Sequence, residues 1–100
     1  MRSGEDLLRD YRVAFLRYLT RREEPALHAG YQLGRAALEA RFNLLEVVRV
    51  HHDVLIEVLL DSREDEAPEL AAAASDFLLE VLASYDMTQR GLPPAPGEPA

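Results

Sequence analysis

The stretch Asn43–Ser62, NLLEVVRVHHDVLIEVLLDS, decides the fold of this chain. Its charged residues recur at i, i+3, i+7 and i+11, which is a helical period, and it is too long for a strand despite its many valines. Asn43 followed by Glu46 predicts a capping box that starts the helix. On a helical wheel the apolar side chains fill roughly 200°, about twice the arc that a surface helix needs. We therefore expect this helix to be covered on two sides.

A second copy of the chain is the expected neighbour on one of those sides, because so short a chain has few elements of its own. The apolar arc would leave part of its surface exposed in a single bundle of this size. We therefore predict a homodimer whose interface lies along this helix. The interface residues predicted for it are Val47, Val54, Leu55 and Val58.

Composition excludes several classes of function. The 100 residues suit one domain and contain no Cys, which excludes thiol nucleophiles and zinc–thiolate sites. All eleven basic residues are Arg, so Schiff-base chemistry and a P-loop lysine are excluded as well. A net charge of −7 argues against a nucleic-acid partner. No apolar run reaches the ~20 residues of a membrane span and no signal peptide is recognisable, so a cytoplasmic protein with no membrane partner is expected.

Three further amphipathic helices are predicted, at about residues 3–21, 25–42 and 68–90. Ser3 is a suitable N-cap, and Pro25 and Pro68 fit the first turns of the second and last helices. Gly91 is predicted to end the last helix. Short connections between four helices indicate an all-α, four-helix bundle over residues 1–91. Residues 92–100, LPPAPGEPA, carry four prolines and are predicted to be a disordered tail.

Two glycines in the second predicted helix need an explanation. Gly30 and Gly34 each cost about 1 kcal/mol relative to alanine in the interior of a helix. They stand among small residues, which leaves room for another backbone. We interpret the pair as the place where a second helix approaches closely.

The run His51-His52-Asp53 is the one constellation that invites a chemical reading. Adjacent histidines point about 100° apart on a helix, so they cannot grip one metal ion as an i, i+4 pair does. His52 followed by an acid resembles the phosphoacceptor pair of dimerising histidine kinases, but the usual following proline and an ATP-binding domain are absent. The alternative of a histidine phosphotransfer protein using His52 stays open. His51, between Val47 and Leu55 on the wheel, is interpreted as a packed histidine with a satisfied ring nitrogen.

Acid–base catalysis has little support in the sequence. The acidic pairs of the turns, such as Glu23-Glu24 and Glu64-Asp65-Glu66, lack the apolar shelter that would separate their pKa values. No glycine-rich phosphate loop or serine–histidine–acid pattern is recognisable. We expect no enzyme activity, no cofactor and no metal site.

Four groups of residues, one in each predicted helix, recur in a recognisable order and spacing: Tyr11, Phe15 and Tyr18-Leu19, then Ala26-Leu27 and Leu33-Gly34-Arg35, then Glu46 and His51, and finally Asp76–Val81 with Tyr85-Asp86-Met87. Together these landmarks resemble the amino-terminal domain of RsbU-type phosphatases, which regulate bacterial stress signalling. The resemblance covers roughly residues 6–90. That domain is a small, dimerising helical bundle similar to the carboxy-terminal domain of the clock protein KaiA.

The resemblance implies regulation by binding: the domain receives an RsbT-like switch kinase and controls a phosphatase domain that follows it. No phosphatase follows in this sequence, so an excised domain and a stand-alone adaptor both stay open, as does a purely structural dimer. Leu79, Ala83 and Met87 are spaced i, i+4, i+8 on the side of the last helix away from its core stripe. In the similar family the partner surface combines the late part of the last helix with the start of the second. The polar candidates at that start are Glu24 and His28.

Overall fold

The computed structural model describes residues 3–91. These residues form four α-helices and no strand, which confirms the all-α, four-helix class. No helix among them is long and apolar enough to cross a lipid bilayer. The predicted tail at 92–100 lies outside the described residues. The helices are α1 Gly4–Thr20, α2 Glu24–Glu39, α3 Leu44–Leu60 and α4 Ala67–Gln89, with one 3₁₀ turn at Glu64–Glu66 before α4.

Side-chain caps set the starts of α1 and α3. The Ser3 hydroxyl accepts the Asp6 backbone N–H at 3.2 Å, and the Asp6 carboxylate accepts the Ser3 backbone N–H. The Asn43 side chain accepts the Glu46 backbone N–H at 2.9 Å, and the Glu46 carboxylate accepts the N–H of Asn43. Each box satisfies two of the amides that a helix start leaves without partners. The capping box predicted at Asn43 is therefore confirmed.

The end of α2 differs from the prediction, which carried this helix to Phe42. The helix ends at Glu39, and Arg41 takes a left-handed conformation with φ 66°. The Phe42 backbone N–H then donates to the Ala37 carbonyl at 3.0 Å, and the Arg41 N–H donates to the Leu38 carbonyl at 3.0 Å. These two bonds make a Schellman motif, which normally uses glycine at the left-handed position. The sequence offers no glycine there, so the helix end was missed.

Helices α2 and α4 pack closely at the two glycines. A Cβ added to Gly30 would lie 3.0 Å from Cε1 of Phe77, and one added to Gly34 would overlap the carbonyl oxygen of Val81. The predicted close approach is confirmed, and its partner is α4. From Gly30 to Gly34 the chain advances along α2, and the contacting residues advance from Phe77 to Val81 along α4. The two helices therefore run in the same direction.

Helices α1 and α3 also run side by side in the same direction. Tyr11 meets His51, and further along Arg12 forms an ion pair with Glu57 at 3.0 Å. The connections between α1 and α2 and between α2 and α3 are only three and four residues long, too short to return along a helix, so consecutive helices alternate in direction, as in an up-down-up-down bundle. Near the carboxyl end of α4, the hydroxyl of Tyr85 donates to the carbonyl of Phe42 at 2.8 Å. Because Phe42 directly precedes α3, this bond fixes the start of α3 against α4.

Aromatic rings fill the centre of the bundle. Phe77 is 0% exposed and its ring lies 5.4 Å from the ring centroids of both Tyr11 and Phe15. The ring of Tyr18 stacks on it at 5.9 Å. Such tilted and edge-on pairs add about 0.5–1.5 kcal/mol each to the area they bury. The centre of the fold is thus a contact between α1 and α4, with α2 and α3 closing the two sides.

Candidate functional site

The two adjacent histidines of α3 lie in different environments. His51 is 8% exposed and belongs to the core, whereas His52 and Asp53 are exposed. Nδ1 of His51 lies 2.6 Å from the hydroxyl oxygen of Tyr11. The interpretation of His51 as a packed, hydrogen-bonded histidine is confirmed. Among residues 3–91, no group of three or more His, Asp or Glu side chains is placed to hold a metal ion.

The Tyr11–His51 pair is a neutral structural hydrogen bond. Burial lowers the pKa of His51, and the nearby charge of His52 lowers that pKa further, so the ring is neutral at pH 7. Burial raises the pKa of Tyr11, so its hydroxyl keeps its proton. Tyr11 is 0% exposed, and among the described residues its only hydrogen-bond partner is His51. The hydroxyl must therefore donate to Nδ1, which leaves the His51 proton on Nε2.

The apolar arc of α3 is divided between the core and the surface. Val47 and Val54 are 0% exposed inside the chain's own bundle, and Val58 and Leu55 are half-buried against it. The side chains of Val47 and Val54 are thus out of reach of a second copy, which corrects their place in the predicted dimer interface. Val47 and Val54 are buried because their side of α3 faces α1 and α4. The other half of the arc is open to solvent, with exposed Leu44, Leu45, Val48, Ile56 and Leu60.

The predicted partner ridge lies on the outer side of α4. Leu79 is 69% exposed, while Ala83 and Met87 are half-buried and outside the core cluster. A groove of about 410 Å³ lies beside Leu79 and Ala83 and reaches Leu44 at the start of α3. Sequence reasoning missed Leu44 as a neighbour of this ridge, because the contact depends on how α3 and α4 pack.

The structure places Glu24 and His28 apart from most of that ridge. Both are exposed at the start of α2, where the His28 ring stacks on Tyr31 at 5.6 Å. The register set by the two glycines puts His28 four residues before the level of Leu79, which is about 6 Å along the bundle. By the same register, Glu24 and Met87 are separated by about 24 Å along the bundle axis. One chain therefore presents His28 and Leu79 at neighbouring levels, with Glu24 and Met87 at the far ends.

The acidic turn before α4 is organised around Arg63. The side chain of Asp65 lies 3.3 Å from the Arg63 guanidinium, and the carboxylate of Glu66 accepts the Arg63 backbone N–H at 2.8 Å. These side chains are well exposed, so solvent screens their charges and weakens their ion pairs. The turn acts as a solvated connection that starts α4.

A comparison with protein families identifies a matching domain. The model of the family described as "Phosphoserine phosphatase RsbU, N-terminal domain" matches residues 9–88, which take in most of α1 and α4 and all of α2 and α3. No curated protein and no solved structure matches the chain. With four-fifths of its 100 residues matched, the chain belongs to the family of RsbU N-terminal domains.

Proposed function

We propose that this chain is a non-catalytic, dimerising protein-interaction domain of bacterial partner-switching stress signalling, located in the cytoplasm. Its family is the regulatory, amino-terminal part of a phosphatase and is distinct from the catalytic domain, and this family works through protein partners. Binding an RsbT-like switch kinase is the role that we assign to the domain. The observation that carries this proposal is the exposure of Leu79, 69%, on a helix whose opposite face forms the core.

The outer side of α4 offers a hydrophobic anchor with acidic flanks. Leu79, Ala83 and Met87 supply the apolar line, which a helical partner could engage at i, i+4 spacing. Asp76 is exposed and Glu80 half-buried beside that line, and neither forms an ion pair within residues 3–91. A kinase surface with apolar pockets and basic rims would complement this arrangement.

The start of α2 is the polar candidate for the kinase surface. Gly30 faces Phe77 of α4, and His28 stands about 160° around α2 from Gly30, so a kinase that touches α2 and the ridge of one chain wraps around the bundle, unless the two parts adjoin across the dimer. His28 is near the level of Leu79 along the bundle and lies on an exposed face. Glu24, one turn earlier, extends this face away from the ridge. In our proposal a kinase that touches both Glu24 and Met87 spans at least about 24 Å, a distance that a standard interface of about 800 Å² per partner covers.

The homodimer of the proposal uses the exposed half of α3. Leu45, Val48 and Ile56 are 79%, 38% and 41% exposed, so they are open to a second copy, and Leu55 and Val58 lie at the edge of the core behind them. Exposed apolar residues grouped on one helix face favour association, because burial releases about 25 cal/mol per Å² of apolar surface.

Titration of the purified switch kinase of the same organism into the domain tests the kinase role. We expect Leu79→Asp and Ala83→Arg to abolish binding, while the circular dichroism spectrum and the dimer mass are unchanged. Ala71→Arg is the matched control, because Ala71 is an exposed alanine on α4 about 120° around the helix and about 18 Å from Ala83. Retained binding by folded Leu79→Asp would show that the kinase docks elsewhere, and unfolding of both variants would place the ridge in the core.

A further inference from the structure

The exposed face of α3 is symmetric about one residue. His52 is the middle residue of the 17-residue helix. Apolar side chains on the same face stand seven and four residues before it and four and seven residues after it. With His52 they share an arc of about 80° at 100° per residue, and we name these five residues the α3 stripe. The four apolar members are Leu45, Val48, Ile56 and Leu59.

We propose that a second copy of this chain covers the α3 stripe with its own α3, antiparallel about a two-fold axis at His52, and that the paired histidines make the dimer weaken as pH falls. The inference rests on the proposed function, whose homodimer it specifies. A two-fold interface brings the same patch of both copies together, so it requires a self-complementary surface. A stripe with equal spacing on both sides of its centre meets that requirement.

The register of this pairing follows from the spacing. Leu45 of one copy is level with Leu59 of the other, and Val48 is level with Ile56. Apolar side chains therefore meet along the whole stripe except at its centre. Leu45 is 79% exposed in the single chain, so the pairing covers the most exposed apolar member of the stripe.

Charges at the edge of the stripe favour the antiparallel direction. Arg49 and Asp53 lie on one flank of the stripe, are exposed, and form no ion pair within residues 3–91. The two-fold axis at His52 places Arg49 of one copy about 3 Å along the axis from Asp53 of the other, twice per dimer. In a parallel pairing that flank would meet the opposite flank of the second helix, where Leu44 and Leu55 lie. Only the antiparallel pairing gives the two charges a partner.

Histidine is the side chain that changes its charge between pH 5 and 8. On its own helix His52 has Arg49 and Asp53 beside it, whose charges oppose each other, and His51, which faces the core. Within residues 3–91 it forms no hydrogen bond or ion pair with α1, α2 or α4. The second copy brings its own Arg49 and Asp53 and a second His52. Two imidazolium groups at the axis repel each other, so the dimer binds fewer protons than two separate chains and weakens as pH falls.

Cysteine cross-linking tests the geometry directly, because the natural sequence contains no cysteine. His52→Cys should form a disulfide-linked dimer with diamide, since packed helices at 8–10 Å bring the two Cα atoms to about 4–6 Å. Leu45→Cys is the matched control and should not cross-link, because its two copies would be about 21 Å apart along the axis. Combining Leu45→Cys with Leu59→Cys should restore the cross-link. All three variants are assayed near pH 7.5, at protein concentrations below and above the dissociation constant of the dimer.

Light scattering and cross-linking together distinguish failure of the homodimer from failure of the two-fold axis. A monomer by light scattering at micromolar concentration would overturn both the homodimer and the two-fold axis. A dimer that cross-links through the single variant Leu45→Cys as well as through His52→Cys would be parallel, and one that cross-links through neither single variant would use another surface. Either result would leave the homodimer intact and overturn the axis at His52.

Sedimentation equilibrium tests the pH dependence. Between about pH 7.5 and pH 5.5 we expect the dissociation constant of the native dimer to rise about tenfold, the effect of two unit charges a few ångströms apart in a partly screened site. His52→Leu should dimerise more tightly and show little change over the same range. This variant retains His28 and His51, so any change that persists in it belongs to groups other than His52. Equal weakening of the native chain and His52→Leu would overturn the role of His52.

Discussion

Replacing Gly34 by alanine tests the close packing of α2 on α4. The new Cβ would overlap the carbonyl oxygen of Val81 and lie 2.8 Å from its carbonyl carbon and 3.1 Å from its Cα. These atoms belong to the backbone of α4, so no rotation of a side chain relieves the overlap. The two helices must move apart, which loosens a contact at the centre of the bundle.

Two opposing effects set the size of the change. Alanine favours a helix over glycine by about 1 kcal/mol. Overpacking costs about 1–3 kcal/mol, and more where backbones must shift. Separation of the helices also disturbs Ala37, Phe77 and Val81, which are 0–1% exposed. Because the clash is with backbone atoms, we expect the overpacking cost at or above the upper end of that range, and hence a net loss of about 2 kcal/mol or more in the free energy of unfolding, a large share of the stability of a small domain.

Thermal and urea unfolding followed by circular dichroism measure this loss. For a domain of this size we expect the midpoint of thermal unfolding to fall by at least about 10 °C. Gly4→Ala is the matched control, since nothing lies within 4 Å of its added Cβ, and its stability should be unchanged or up to about 1 kcal/mol higher. If Gly34→Ala unfolds at the same midpoint as the native chain or above it, the close approach of α2 and α4 is wrong.

Three further predictions concern the core and a helix end. Because the pKa of His51 is lowered in the folded state, the unfolded chain binds more protons, and its contribution to stability is full above about pH 6.5 and lost as pH falls through the folded value. The slope of unfolding free energy against pH from 7 to 5.5 should be smaller in His51→Gln, and an unchanged slope would contradict this assignment. Ser84 has a buried hydroxyl with no hydrogen-bond partner among the described residues, so Ser84→Ala should leave the urea midpoint unchanged or raise stability by up to about 1 kcal/mol, whereas a loss above that would reveal a hidden partner. Arg41→Gly should raise the thermal midpoint, by about 0.5–1 kcal/mol in stability, because glycine takes the left-handed conformation with less strain; a lower midpoint would show that the arginine side chain compensates.

The features of this fold that follow from neighbouring residues were readable in the sequence. The capping box of Asn43 and Glu46 joins residues three apart, and Gly91 ends α4 with a positive φ of 73°. Pro25 stands in the first turn of α2, where its missing N–H costs nothing. Such signals act within one turn of helix, so they hold whatever packs against the helix later.

The glycine pair and the inner histidine were readable in part. Gly34 indicated a close neighbour, and the position of His51 in the apolar arc indicated burial. Neither pattern named the partner, because Val81 is 47 residues away from Gly34 and Tyr11 is 40 residues away from His51. The partner of a helix face depends on the direction and order of the other helices, which no local pattern encodes.

The division of the α3 arc was decided by the tertiary structure alone. Val47 and Leu45 are both aliphatic residues of the same helix, yet one is 0% and the other 79% exposed. The sequence determined that α3 is a helix with more apolar surface than one neighbour can cover. Which side meets the core depends on where α1 and α4 lie around it. A helical wheel records the angles between side chains, but the direction of the bundle's centre is a property of all four helices together.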